Sequence, residues 1–131
     1  MPAKVLIVED HPDAREILVF QLGHMGYETI EAANGQEAIE KVLAQGPDVV
    51  IMDLGLPGIN GIEATVRLKQ NPKTANIPVI AYTAWREQSY RDKAIEAGMA
   101  GFLTKPTPSK VFGEVLQSVL QSNPQKMAST A

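Results

Sequence analysis

The sequence predicts a doubly wound α/β fold, five parallel strands between two layers of helices, and three observations predict it. Short apolar runs alternate with longer stretches of helical period. Each change of period is punctuated by Gly, Pro, Asn or Asp. The runs at 5–8, Val49–Met52 and 79–82 are apolar throughout, as central parallel strands must be when helices cover both faces of the sheet. Strict alternation of this kind closes through right-handed crossovers. The 131 residues, 44% of them hydrophobic, suit one domain rather than two, at about 100–200 residues per domain.

Taken in order, residues 5–8 form the first strand. Ala14, Ile17, Leu18, Leu22 and Met25 then recur at helical spacing. Pro12 and Asp13 stand at that helix's start, with Glu16 three residues after Asp13 as in a capping box. Residues 27–31 include Glu28 and Glu31, charges that suit an edge strand. Asn34-Gly-Gln-Glu37 has the form of a second capping box, and its helix runs through Ile39, Val42 and Leu43 to a Gly46-Pro47 stop. Val49–Met52 is the third strand, Gly61–Gln70 the third helix and 79–82 the fourth strand. A fourth helix is predicted over 87–97, with Gly98 past its end, and Gly101–Thr104 is the other edge strand. The fifth helix spans 108–121, with Thr107 as cap and Pro108 at the first helical position. Residues 123–131 lack periodicity and are expected to be a flexible tail behind a domain of residues 1–122.

Zero cysteines exclude a disulfide framework, a thiolate metal site and a catalytic thiol, and they suit a reducing compartment. No apolar run approaches the ~18 residues of a membrane span, so a cytoplasmic protein without membrane insertion is expected. A net charge of −3 argues against direct binding of nucleic acid through phosphate neutralisation. The distribution is uneven. Residues 1–66 hold 11 acids and 3 bases, and residues 67–131 hold 4 acids and 9 bases. Either these are two solvated faces, or an acidic pocket binds a cation and a basic face meets a partner.

Ligands of doubly wound sheets sit at the carboxyl ends of the strands. Glu9 and Asp10 follow the first strand, Asp53 ends the third, Thr83 ends the fourth, and Lys105 stands just beyond the fifth. Three carboxylates, a hydroxyl and an ammonium therefore converge on one crevice. Crowded carboxylates repel unless a cation compensates them. Mg²⁺ suits the set, because it takes oxygen ligands from carboxylates, water and phosphate, and neither Cys nor a convergent His cluster points elsewhere. Beside such an ion Asp53 can act as nucleophile toward a phosphoryl group. Lys105 would then meet the phosphoryl oxygens as a point charge and Thr83 as a hydroxyl donor. His11 and His24 read as solvated side chains, and Tyr82 and Trp85 as half-buried packing.

These residues resemble the response-regulator receiver domains of two-component signalling, over residues 4 to about 121. The carriers are Val5-Leu-Ile-Val-Glu-Asp10, Met52-Asp-Leu-Gly-Leu-Pro-Gly58 with Gly61 beyond, Thr83-Ala84, and Phe102-Leu-Thr-Lys-Pro106. The resemblance implies a flavodoxin-like sheet of strand order 2-1-3-4-5 and a stand-alone, chemotaxis-regulator-like receiver. It implies that Asp53 accepts phosphate from a histidine kinase or histidine phosphotransfer protein. Asp10, Asp53 and the backbone carbonyl of Gly55 would bind Mg²⁺, or alternatively Mn²⁺, with Glu9 assisting through water. Thr83 and Lys105 would read the phosphoryl group, Phe102 would change rotamer as Thr83 moves, and Lys105–Pro106 would be cis. Such a domain turns over nothing beyond its own phosphorylation and slow dephosphorylation.

Two positions depart from the family pattern. Gly55 has no side chain where the family often places a polar group near the water that attacks the acyl phosphate, and Trp85 is bulky enough to shade that water. Together they predict a long-lived phosphoryl state. In the fifth helix Val111, Phe112, Val115, Leu116, Val119 and Leu120 span an arc of about 180°. That arc is either absorbed by the core or extends onto a surface of the fourth helix, fifth strand and fifth helix, which the family uses for docking a downstream protein or for homodimerisation. Only nine residues follow, too few for a DNA-binding unit. Output is expected through protein contact, or through further parts of a larger response regulator or hybrid kinase, with a phosphorylation-independent scaffold as the remaining alternative. A phosphohydrolase would want an acid/base Asp where Gly55 stands. A nucleotide module would need a phosphate-cradling loop where Glu9-Asp10-His11-Pro12 presents anions.

Overall fold

The computed structural model describes residues 2–122. Its elements alternate as β1 (Lys4–Val8), α1 (Pro12–His24), β2 (Glu28–Ala32), α2 (Gly35–Gln45), β3 (Val49–Met52), α3 (Gly61–Gln70), β4 (Val79–Thr83), α4 (Gln88–Glu96), β5 (Gly101–Thr104) and α5 (Ser109–Ser122). The sheet is parallel throughout, in the order β2-β1-β3-β4-β5. The chain moves outward from β1 to β2, then returns across β1 to build β3. The resulting switch point opens a crevice at the carboxyl ends of β1 and β3.

Alternation of side chains along each strand divides the core in two. Val5, Ile7, Val49, Ile51, Ile80 and Tyr82 face α1 and α5, meeting Leu18, Leu22, Phe112, Leu116 and Leu120. Leu6, Val8, Val50, Met52, Val79 and Ala81 face the other layer, meeting Ala38 and Val42 of α2, Ala64 and Leu68 of α3, and Ala94 of α4. This two-sided burial is the reason the central runs carry no polar residue. The edges are the strands expected: β2 exposes Glu28 and Glu31, and β5 is half-buried along its length.

Local chemistry shifts several boundaries. The Tyr27 N–H donates to Leu22 O in the turn that closes α1, so β2 starts one residue later than predicted and ends at Ala32. The capping box around Asp13 does not form. His11 is the cap residue, without a side-chain cap bond, and Asp13 lies in the first turn, where its charge suits the helix dipole. Ile17 does not join the core. It is 61% exposed beside Phe20 at 67%, leaving Leu18 and Leu22 as the buried stripe. At α2 the predicted box exists in a shifted form. Asn34 Oδ1 accepts from the Glu37 N–H at 2.8 Å, while Glu37 Oε1 accepts from the Ala33 N–H, one residue before the cap. Gly46, at φ +53°, then ends the helix in the left-handed region.

Asn60 caps α3 by accepting from the Glu63 N–H at 2.9 Å. The helix α4 is shorter by a residue at each end than expected. Thr107 does not cap α5, because the helix begins a residue later than predicted; its hydroxyl instead donates to Thr104 O at 2.7 Å. The helix starts at Ser109, with Pro108 O accepting from the Phe112 N–H. Most of the wide apolar arc of α5 is absorbed inside: Phe112, Leu116 and Leu120 are buried, Val115 and Val119 pack half-buried, and Val111 is 44% exposed. The expected tail, 123–131, lies outside the described residues. Among the described residues no helix is long and apolar enough to cross a membrane.

One glycine positions the crevice. The Gly61 N–H donates to Leu54 O, folding the start of α3 back onto the end of β3. A Cβ there would run into the Asp53 carbonyl oxygen and lie 2.9 Å from Leu54 Cα. Both are backbone atoms and cannot swing aside. Gly61→Ala is expected to destabilise the protein by about 2 kcal/mol, the usual scale of overpacking. The check is urea denaturation, with a lowered midpoint and an unchanged slope.

Candidate functional site

Three of the predicted site residues are held by backbone hydrogen bonds that continue the sheet ladder past a strand end. The Glu9 N–H donates to Ala32 O, the Asp53 N–H to Val8 O, and the Lys105 N–H to Thr83 O, at 2.8–3.1 Å. The sheet itself therefore fixes three of the four chain segments around the crevice, and Thr83 is the last residue of β4.

Of the predicted set, the structure brings Glu9, Asp53 and Lys105 into direct contact, while Asp10 and Thr83 bond to neighbours in their own segments. Lys105 Nζ donates to Glu9 Oε1 and, at 3.2 Å, to Asp53 Oδ2. The Glu9 side chain is 2% exposed, Asp53 13% and Lys105 26%. The other Asp53 oxygen accepts from the Gly55 N–H at 3.2 Å. Asp10 is half-buried at the rim, with Oδ1 3.2 Å from His11 Nδ1. Glu9, Asp10 and His11 each bring one ligand-capable atom within 4.8 Å of the others. Burial works to lower the Lys105 pKa, but the hydrogen bonds and charges of Glu9 and Asp53 outweigh it, and the ammonium titrates above the usual lysine value. The His11 imidazole is also held above its usual value, first by its hydrogen bond to Glu9 and then by the Asp10 charge.

Thr83 is fully buried, and its Oγ1 accepts from the Trp85 N–H at 3.2 Å. Trp85 is half-buried, with its indole against Gly55: a Cβ on that glycine would lie 3.1 Å from Cζ2. The ring also stacks, tilted, on Tyr90 of α4 at 4.6 Å. Tyr82 is buried rather than half-buried. It packs edge-on to Phe112 at 4.9 Å, and its ring lies 5.5 Å from the Lys105 ammonium. Phe102 is half-buried on β5 opposite Ala81, with the Arg91 guanidinium over its ring at 5.8 Å. The Lys105–Pro106 bond is cis.

Two arginines around the site escaped the sequence reading. Arg15 Nη1 donates to Glu9 O at 2.8 Å while its Nε bonds Glu31. Arg86 Nη2 donates to Lys105 O at 2.7 Å. Both hold backbone rather than ligand. Neither belongs to a motif, and only the fold reveals what carbonyl each can reach.

The fold and site define a class first: a doubly wound domain whose switch point presents an acidic group beside an ammonium and a buried hydroxyl. The chain belongs to the response regulator receiver domain family, which it matches over residues 5–117, and so is a signalling domain of two-component systems. It is 36% identical to the phosphate regulon transcriptional regulatory protein PhoB of Pseudomonas aeruginosa over 89% of its own length and 51% of that protein, spanning about half of it. It is 34% identical to the polar-differentiation response regulator DivK of Brucella anthropi, over 92% of this chain and 98% of that protein. Among solved structures, the receiver domain of the sensor histidine kinase PA1611 from Pseudomonas aeruginosa superposes with a TM-score of 0.86 at 30% identity, covering 93% of this chain and all of that one. That neighbour has a magnesium ion coordinated in its active-site cleft.

The linkage between Lys105 and the buried Glu9 is testable without any ligand. Lys105→Met strands a buried carboxylate, and adding Glu9→Gln should recover part of the loss. A double-mutant cycle by urea denaturation in chelator at neutral pH should give a coupling of about 1–2 kcal/mol.

Proposed function

We propose that this chain is the phosphoaccepting receiver of a two-component relay, with residues 1–122 as the receiver unit and Asp53 as the acceptor. The observation that carries the reading is the Asp53 carboxylate, set at the switch point between the Lys105 ammonium and the Gly55 N–H. An Asp53 oxygen attacks the phosphorus of a phosphohistidine, the P–N bond breaks, and its electron pair leaves with the donor imidazole. Lys105 turns from Asp53 to the phosphoryl oxygens, and the buried Thr83 hydroxyl donates to another.

The donor set fits a hard divalent cation, since three carboxylates share the crevice with one ammonium. Asp10, Asp53 and the Gly55 carbonyl would hold Mg²⁺, or Mn²⁺ in its place, with Glu9 acting through water. The ion would supply positive charge to the phosphoryl oxygens. A cleft of about 210 Å³ leads from Glu9, Lys105 and Pro106 along Ile17, Leu18 and Gln21 of α1. A histidine kinase or phosphotransfer protein delivering its imidazole to Asp53 would meet the chain along this rim.

Output belongs to the face of α4, β5 and α5. There Ile95 and Val111 are exposed, and Phe102 lies under Arg91. Withdrawal of Thr83 toward the phosphoryl group shifts the population of this face between two arrangements, and a downstream protein or a second copy reads the shift. The matches, one nearly full-length and one over half of a larger protein, support both a stand-alone receiver and the receiver of a larger regulator or hybrid kinase.

Incubation with acetyl phosphate and Mg²⁺ should add one phosphoryl group by intact mass, and none in chelator or in Asp53→Asn. No adduct together with no binding of beryllofluoride would overturn phosphoryl acceptance in favour of a scaffold. The contact of Trp85 with Gly55 supports a shaded acyl phosphate. Trp85→Ala should shorten the phosphoryl half-life severalfold. Equal or slower decay, or a Gly55→Asn/Trp85→Ala double variant no faster than wild type, would remove the shading role.

A further inference from the structure

At the pole of the sheet opposite Asp53, an open cleft of about 400 Å³ lies at the amino ends of β4 and β5. Its lining includes Lys69 near the end of α3, Asn76 and Pro78 before β4, Ala100 before β5, and Ser118 and Ser122 of α5. Four separate chain segments therefore meet around it. Lys69 is half-buried, its aliphatic stem running against Gly98.

The ammonium of Lys69 donates to Ala75 O at 2.9 Å and Ile77 O at 2.8 Å. Those bonds clasp the loop between α3 and β4 and account for two of its three N–H groups. Among the described residues no carboxylate comes within 4.0 Å of it, and none lines the cleft. Of the half-buried cations, Arg15, Lys41 and Lys105 each pair with a Glu, whereas the Lys4 and Lys69 ammonium groups have no carboxylate partner among the described residues. Desolvation accordingly pulls the Lys69 pKa below the usual lysine value. Neutral carbonyls offset only part of the cost of taking a charge from water, and a charge-assisted bond to an anion would supply the remainder. Neutral donors stand nearby. The Ser122 hydroxyl is committed to Ser118 O, whereas the Ser118 hydroxyl and the Asn76 amide make no hydrogen bond among the described residues.

We infer that this cleft is an anion-binding site, in which the Lys69 ammonium holds one carboxylate or phosphate group of a small ligand and Ser118 and Asn76 donate to it. A ligand there ties the end of α5 to the loops before β4 and β5, across the sheet from the phosphoacceptor.

The site can be tested on the full chain by NMR titration in chelator, with inorganic phosphate in one arm and succinate in the other. Saturable shifts centred on Lys69, Ala100 and Ser118 are expected, and the arm that saturates first names the preferred group. Ser118→Asp places a carboxylate at the mouth without touching the Lys69 clasp, and it should weaken binding roughly tenfold. Lys69→Met should abolish binding; if it loosens the fold, Ser118→Asp alone decides. Absence of saturation in both arms, or equal affinity in Ser118→Asp, would overturn the site. Shifts confined to the Asp53 crevice would overturn it as well.

Discussion

The arrangement at the crevice depends on one ion-pair network, the Lys105 ammonium held between Glu9 and Asp53. The Glu9 side chain is almost wholly buried, and a carboxylate there without a cation would carry most of its desolvation cost. Lys105 relieves Glu9 and at the same time holds Asp53 in place. The pair is not sealed from solvent, because Lys105 keeps about a quarter of its side-chain surface exposed. A group bound to Asp53 therefore changes the charge that Lys105 sees without removing its hold on Glu9.

That network is only as precise as the backbone beneath it. The ladder bonds of Glu9, Asp53 and Lys105 extend the sheet by one residue at three strand ends, so the charged groups inherit the register of β1, β3 and β5. Gly61 adds the close approach that brings α3 against the Asp53 carbonyl. Arg15 and Arg86 grip the carbonyls of Glu9 and Lys105 from outside the crevice. Rigid elements thus carry side chains whose partners can change, the usual division of labour in a site that has to preorganise charge.

The strand order and the meeting of Glu9, Asp53 and Lys105 were legible because they rest on periodicity and on where strands end. Continuous apolar runs can only be central strands in such a sheet, and their next residues must face the crevice. Caps were less legible, since Asp13 and Thr107 are competent capping residues that found other positions or partners: Asp13 a place inside the first turn, Thr107 the carbonyl of Thr104. Ile17 misled for a related reason. Helical spacing identifies a face, but the contact of α1 with the sheet is filled by buried Leu18 and Leu22, with Val19 half-buried beside them, and leaves Ile17 outside. Arg15, Arg86 and Lys69 bind main-chain carbonyls, and carbonyls carry no sequence signature.

Gly55 and Trp85 were legible separately as departures, but the structure makes them one feature. The indole occupies the space that a side chain at 55 would need, so a larger residue there displaces the ring. The same ring stacks on Tyr90, and Trp85, Tyr90 and Phe102 all pack against the core beneath α4 and β5. Its backbone N–H donates to the buried Thr83 hydroxyl, so the same residue also touches the end of β4. The space beside Gly55 and the set of α4 are therefore mechanically joined through one aromatic side chain. In this chain, whatever displaces the Trp85 ring from Gly55 also changes the packing against Tyr90 of α4.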